Sequence, residues 1–163
     1  MSKPHQHLHT LVVHVENKPG VLARVAGLFS RRGFNIDSLA VAPTADERFS
    51  RITIVVNAES TPLDQIVKQL DKLVNVVDIA ELDNAAAVER ELLLATATVP
   101  AADRSKLAFD QSGFDLLILE ETEGAVTLSF SGSPARVDEL EDLLEPYGIT
   151  DIQRTGKVAL PKI

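Results

Sequence analysis

The stretch Val15-Glu16-Asn17-Lys18-Pro19-Gly20-Val21-Leu22 (VENKPGVL) sets a cluster of turn-prone residues between two apolar patterns of different period. Before it, LHTLVVHV at residues 8–15 is β-branched and apolar, the composition of a strand. After it, Val21, Leu22, Val25, Ala26, Leu28 and Phe29 recur at helical spacing, one stripe on a helix that should end before Gly33. Asn17 is a candidate N-cap, Pro19 suits a first helical turn, and Gly20 has no side chain to shield the amides of that turn. Bare amides at a helix N-terminus attract a carboxylate or phosphate. Helix capping without a ligand is the plainer explanation, and these residues alone leave both open.

Outward from this loop, Ile36 to Ala42 reads as a second strand and Phe49 to Asn57 (FSRITIVVN) as a third, with the turn PTADE between them. Ser60-Thr61-Pro62 carries the cap chemistry for a second helix, striped by Leu63, Ile66, Val67, Leu70, Leu73 and Val74. Val76 to Leu82 closes a β-α-β-β-α-β unit. The second half repeats that order. Glu91 to Val99 is a strand and Asp103 to Gln111 a short helix. Phe114–Glu121 and Ala125–Ser131 form a hairpin around Glu123-Gly124. Ser133-Pro134 opens a helix striped by Val137, Leu140, Leu143 and Leu144, and Ile149 to Leu160 is a last strand, broken near Gly156. The expected fold class is α+β: two tandem ferredoxin-like (βαββαβ) domains, each an antiparallel sheet with its helices on one face. The expected division is a flexible terminus at 1–7, a first domain at 8–82, a linker at 83–90 and a second domain at 91–163. The helix-free sheet face of each domain should be partly exposed, and the edge strands invite pairing with another chain.

Composition excludes several classes. The 163 residues contain no cysteine, which removes disulfides, thiolate metal sites and a cysteine nucleophile. Residues 1–82 carry nine Lys+Arg against nine Asp+Glu, and residues 83–163 seven against fifteen, so the net charge of −8 lies in the second half. An acidic surface and 4% aromatics argue against nucleic acid as a partner. MSKPHQHLH has no apolar run, and no segment has the length of a membrane span, so a cytoplasmic protein with no membrane partner is expected.

No catalytic residues are assigned. G-x-S-x-G, Walker and zinc signatures are absent, and Ser30, Ser38 and Ser50 have no motif partner. His5, His7 and His9 alternate and would share one face of an extended chain, which resembles a metal site, but a terminal segment is an unfavourable platform, so no metal is expected. His14 is read as a packed or surface residue. Asp138, Glu139, Glu141, Asp142 and Glu145 alternate with the last helix stripe and read as a solvated face. Arg24, Arg31, Arg32, Arg48 and Arg51 read as a surface ring or subunit contact. Asn35, after Gly33-Phe34, is by default a turn amide. In a βαββαβ unit it starts at the opposite end of the domain from Asn17, and the two could meet only between two copies of opposed orientation.

VENKPGVLARVAGLFSRRGFNIDSLAV at residues 15–41 resembles the amino-terminal ACT domain of the regulatory small subunits of acetohydroxyacid (acetolactate) synthase. The likeness continues through SRITIVV, LDQIVKQLDKLVNV and VERELLL, to about residue 95, and GKVAL is similar to the family's closing strand. The resemblance implies a non-catalytic subunit that binds a thiamine-diphosphate-dependent catalytic large subunit, activates it and confers feedback inhibition by valine. The first domain would be an ACT domain that pairs into a homodimer, with valine or another branched-chain amino acid between the subunits. The family's effector site falls on Asn17, Gly20, Val21, Asn35 and Ile36, with Pro19 and Leu22 lining or shaping it. This subunit would bind no cofactor, and thiamine diphosphate, magnesium and FAD would belong to the catalytic partner. Two other readings share the fold. One is a stand-alone ACT-type amino-acid sensor acting on a different enzyme or on transcription, against which GFNIDSL and VERELLL argue. The other is an acylphosphatase-type enzyme, which needs an Arg in the loop Glu16–Gly20 where none stands.

Overall fold

The computed structural model describes residues 8–58, 62–110 and 113–163. The described residues form two compact units, one gathering residues 8–88 and 157–163 and the other residues 89–156. His5, His7, Ser60 and Thr61 lie outside the described residues.

The first unit contains β1 (Leu8–Glu16), α1 (Val21–Arg31), β2 (Asn35–Pro43), β3 (Phe49–Asn57), α2 (Leu63–Asp71) and β4 (Val76–Leu82). Its sheet is antiparallel with order β2-β3-β1-β4, so β2 and β4 are the edges. Alternation along the strands sends Leu11, Val13, Val15, Ile52, Ile54 and Val56 to the helix side, where they are buried with Val21, Val25, Leu28 and Phe29 of α1 and Leu63, Ile66 and Leu70 of α2. The helical stripes are narrower than expected. Leu22 is exposed, and Val74 falls beyond the end of α2 and is almost fully exposed. The residue at the N-cap of α2 is Pro62, with no side-chain cap.

The other sheet face departs from expectation. Thr10, Val12, Thr53 and Val55 point away from the helices, yet none is more than 3% exposed. Chain segments from both ends of the second half reach this face. Asn84 Oδ1 accepts from Thr10 Oγ1 at 3.3 Å, the Lys157 amide donates to Ser38 Oγ at 3.4 Å, and Arg51 Nη2 donates to the Ala159 carbonyl at 2.8 Å. Gly156, at φ 81°, breaks the last strand as anticipated, and β9 (Val158–Pro161) follows it as part of this unit. The C-terminal segment 157–163, expected in the second domain, packs with this unit. Its Lys157 and Ala159 are buried, and Lys162 N donates to Ala86 O at 2.9 Å. Residues 83–90, expected as a linker, contain the boundary between the two units and have regular structure of their own. Asp83 Oδ1 caps a 3-10 turn at Asn84–Ala86 by accepting from Ala85 N, and β5 (Ala87–Ala97) begins directly after it.

The second unit adds α3 (Arg104–Asp110), β6 (Leu117–Glu121), β7 (Val126–Gly132), α4 (Pro134–Leu144) and β8 (Ile149–Arg154) to β5. Its strand order β6-β7-β5-β8 is the same permutation as in the first unit. Leu93, Ala95, Leu128 and Phe130 of the sheet are buried with Leu107, Val137, Leu140 and Leu144. Ser133 Oγ accepts from Arg136 N at 3.4 Å and Pro134 occupies the first turn, as their residue types require.

Here the acidic face of α4 proves to be more than solvated. Arg154 on β8 donates from Nε and Nη2 to both carboxylate oxygens of Glu91, each at 2.9 Å, and from Nη1 to Asp138 at 2.7 Å and Glu141 at 3.1 Å. Glu91 is 6% exposed, so its charge is held inside the unit by this one guanidinium. The Glu91 carboxylate, first among these partners, pushes the Arg154 pKa above the ordinary arginine value.

Candidate functional site

The loop from β1 to α1 is a turn followed by a helix. Val21 N donates to Lys18 O at 3.3 Å, and Gly20 has φ 83° and ψ −11°. That is a type II β-turn with Pro19 and Gly20 at its two central positions, the second of which needs positive φ. This corrects two sequence expectations. Asn17 is not the N-cap, because the turn inserts three residues between it and the helix. Pro19 lies before α1, not in its first turn. The N-cap is Gly20, whose carbonyl accepts from Arg24 N at 3.1 Å.

Asn17 is fixed elsewhere. Its amide donates to Arg48 O at 2.8 Å and its Nδ2 to Glu47 O at 2.9 Å, which ties the loop to the β2–β3 turn. With Nδ2 engaged, Oδ1 is the atom left to accept from a cation. Val21 is buried in the core and its N–H serves the turn. The amides of Gly20, Leu22 and Ala23 have no backbone acceptor among the described residues. Donors for an anion are thus Gly20, Leu22 and Ala23, one step further into the helix than the sequence suggested.

Glu16, Lys18, Arg24 and Asn75 brace this loop, a role that sequence reasoning gave to none of them. Glu16 Oε2 accepts from Asn75 Nδ2 at 2.6 Å and from Lys18 Nζ at 3.2 Å, and Asn75 Oδ1 accepts from Arg24 Nη1 at 2.6 Å. The hydrogen bond from Asn75, reinforced by Lys18, holds the Glu16 carboxyl below the usual carboxylate range. Asn75 stands just before β4, where an Asn would be passed over as a turn residue. Only the pairing of β4 beside β1 brings it to Glu16.

Asn35 and Ile36 open β2. Asn35 is exposed and lies opposite Asn57, whereas Ile36 is partly buried against the helix-side core. Glu16, just before Asn17, lies opposite Phe49 at the other end of β3. Eight residue steps separate Phe49 from Asn57, roughly 27 Å at about 3.4 Å per residue. Asn17 and Asn35 therefore do not meet within one chain. Asn17, Gly20 and Leu22 stand where β1 leads into α1, and Asn35 and Ile36 stand at the opposite end of the sheet, on its β2 edge. His9 pairs with Glu81 at 2.8 Å, and among the described residues no three His, Asp or Glu side chains cluster as metal ligands. His14 is half-buried beside Arg51 at 3.3 Å. Arg51 is thus an interior strand residue, not part of a surface ring. No helix among the described residues is long and apolar enough to cross a membrane.

The relatives of this chain agree over both units. A family described as the AHAS small subunit-like ACT domain matches residues 11–78, and one described as the small subunit of acetolactate synthase matches residues 90–163. The acetolactate synthase small subunit of Mycobacterium bovis is 47% identical over 154 residues, 94% of this chain and 92% of that one. A probable acetolactate synthase small subunit of Archaeoglobus fulgidus is 42% identical, covering 93% of this chain and 95% of its own. The crystal structure of the acetolactate synthase small subunit from Thermotoga maritima superposes with a TM-score of 0.86 at 32% identity, over 96% of this chain and 98% of that one. Both halves, each with its own βαββαβ order, place this chain in the acetolactate synthase small subunit family.

Proposed function

We propose that this chain is the non-catalytic regulatory subunit of an acetohydroxyacid (acetolactate) synthase, acting in branched-chain amino acid biosynthesis in the cytoplasm. It binds the catalytic large subunit, raises its activity and makes it sensitive to valine. Thiamine diphosphate, magnesium and FAD act on the catalytic partner, and this subunit contributes neither cofactor nor catalytic residues. Family membership supports the partnership, and one observation supports the effector site. Strand β2 is a free edge with Asn35 at its start, and its other end, Pro43, lies beside the loop that carries Asn17 and Gly20.

Antiparallel pairing of two β2 edges sets the start of one strand against the end of the other. Asn35 of a second copy then faces the Asn17–Ala23 loop of the first, and the sheets become continuous. An amino acid fits between them. Its carboxylate accepts from the Gly20, Leu22 and Ala23 amides at the positive end of α1. Its ammonium donates to Asn17 Oδ1 and to the Asn35 side chain of the second copy. Exposed Leu22 and partly buried Ile36 offer apolar surface to the isopropyl group. Valine inhibits because it binds one arrangement of the paired domains better than another, and equal affinity for both would shift nothing.

The test is synthase activity of the purified catalytic subunit with and without this protein, each across a valine titration. Activation that declines with valine supports the proposal, and the absence of activation overturns it. A leucine or isoleucine ligand differs by only one methylene, about 1–3 kcal/mol, so partial cross-response is expected.

A further inference from the structure

One side chain bridges the two ends of the segment 17–23. Glu16 immediately precedes that segment and Arg24 immediately follows it. Asn75 Nδ2 donates to Glu16 Oε2, and Asn75 Oδ1 accepts from Arg24 Nη1, each at 2.6 Å. The backbone adds a third link, because Glu16 N donates to Asn75 O at 2.9 Å. A carboxamide suits this place, since it donates from one atom to a carboxylate and accepts at the other from a guanidinium. A carboxylate at 75 would keep Arg24 and repel Glu16.

Asn75 is itself held in place. It lies in the turn from α2 to β4, where Val76 N donates to Leu73 O at 3.1 Å, and Ile66 and Leu70 anchor α2 in the core. The register of β4 against β1 shifts at this point. Val15 lies opposite Val76 and His14 opposite Asp78, so Val77 is an extra residue on β4. Such bulges re-aim side chains and are common beside functional sites.

The bridge joins two groups that have to keep their distance. Asn17 is fixed to the β2–β3 turn, whereas the free amides belong to the first turn of α1. Val21 and Val25 fix the buried side of that helix. Arg24 is on its exposed side, and among the described residues its side chain hydrogen-bonds only to Asn75. An α-amino acid holds its ammonium and carboxylate at a fixed separation. A site that reads both charges depends on the spacing between its acceptor and its donors.

We propose that Asn75 is a positioning residue for amino-acid binding: by tying Glu16 to Arg24 it sets the spacing between Asn17 Oδ1 and the amides of Gly20, Leu22 and Ala23. Asn75 does not touch the ligand and acts through the two flanks. The proposal rests on the effector site described above and identifies what keeps that site in shape for valine.

The experiment exchanges donor and acceptor across the bridge. Valine binding to the full-length chain is measured by calorimetry, and half-inhibition by valine is measured in the reconstituted synthase. Asn75→Asp sets a carboxylate against Glu16 and should weaken valine at least about tenfold in both. Adding Glu16→Gln turns the pair around, with Gln Nε2 donating to the new carboxylate. The double variant should return to within about threefold of the parent, because the two changes are not additive. Should Asn75→Asp fail to fold, Arg24→Met cuts the other end of the bridge and is expected to weaken valine comparably. Parent-like valine affinity in Asn75→Asp overturns the proposal. So does a double variant that regains its melting temperature but not its valine affinity, since Asn75 would then be a structural brace only. A parent chain that binds no valine removes the effector site itself, and this proposal with it.

Discussion

Arg51 Nη2 donates to the carbonyl of Ala159 at 2.8 Å, which fixes a residue near the end of the chain to the middle of the first sheet. The bond lies on the face away from both helices, where Val12 and Val55 are buried. Deleting residues 157–163 should loosen this face. Each valine uncovered removes about 1.5–3 kcal/mol of burial free energy. The expected readout is faster amide exchange along β1 and β3 with a lower urea midpoint. Unchanged exchange would show that the C-terminal segment does not protect this face.

Glu91 depends on Arg154 for its charge balance. Arg154→Met leaves a buried carboxylate without its bidentate partner and should cost about 3 kcal/mol, the penalty of breaking such a pair from one side. Replacing both, Arg154→Met with Glu91→Leu, should recover most of that loss. Thermal unfolding of the single and double variants measures the coupling, and equal melting temperatures for the two would refute it.

Gly20 should tolerate a methyl group in space but not in conformation. A Cβ there meets nothing within 4 Å, yet φ is +83°. Gly20→Ala should therefore lose about 1 kcal/mol from backbone strain alone. Gly20→Asp adds a carboxylate where the effector carboxylate is proposed to bind. The expected holoenzyme is still activated but insensitive to valine, and unaltered valine inhibition in that variant would remove the effector site from this loop.

Glu16 carries a depressed pKa, first through the hydrogen bond from Asn75 and then through Lys18. A carboxylate with a lower pKa in the folded state stabilises the fold above its unfolded pKa, about 4.3 for Glu. That contribution is lost as pH falls through the folded value. Asn75→Leu should raise the Glu16 pKa toward the ordinary range, as read by carboxyl-carbon NMR across an acid titration. A Glu16 titration curve identical to that of the parent would place the cause elsewhere.

Local chemistry made much of this legible in the sequence. β3 and β4 have the anticipated ends because their β-branched runs are bounded by turn residues, and Ser133-Pro134 caps α4 as its residue types demand. The Asn17 assignment failed for a local reason too. Asn, Pro and Gly suit a helix start and a type II turn equally well, and the hydrogen bond from Val21 to Lys18 decides between them.

The sequence by itself determined the two βαββαβ patterns, their shared order, the turn-rich loop before α1 and the separation of Asn17 from Asn35. All of these follow from periodicity and residue chemistry over a few consecutive positions. Only the tertiary structure decided which distant groups meet: Asn75 with Glu16, Arg154 with Glu91 and Asp138, and Arg51 with Ala159. Of these, the bonded pairs join residues between 16 and 108 positions apart. Their partners are set by strand register and by the path of the chain after Gly156, and no local pattern records either one.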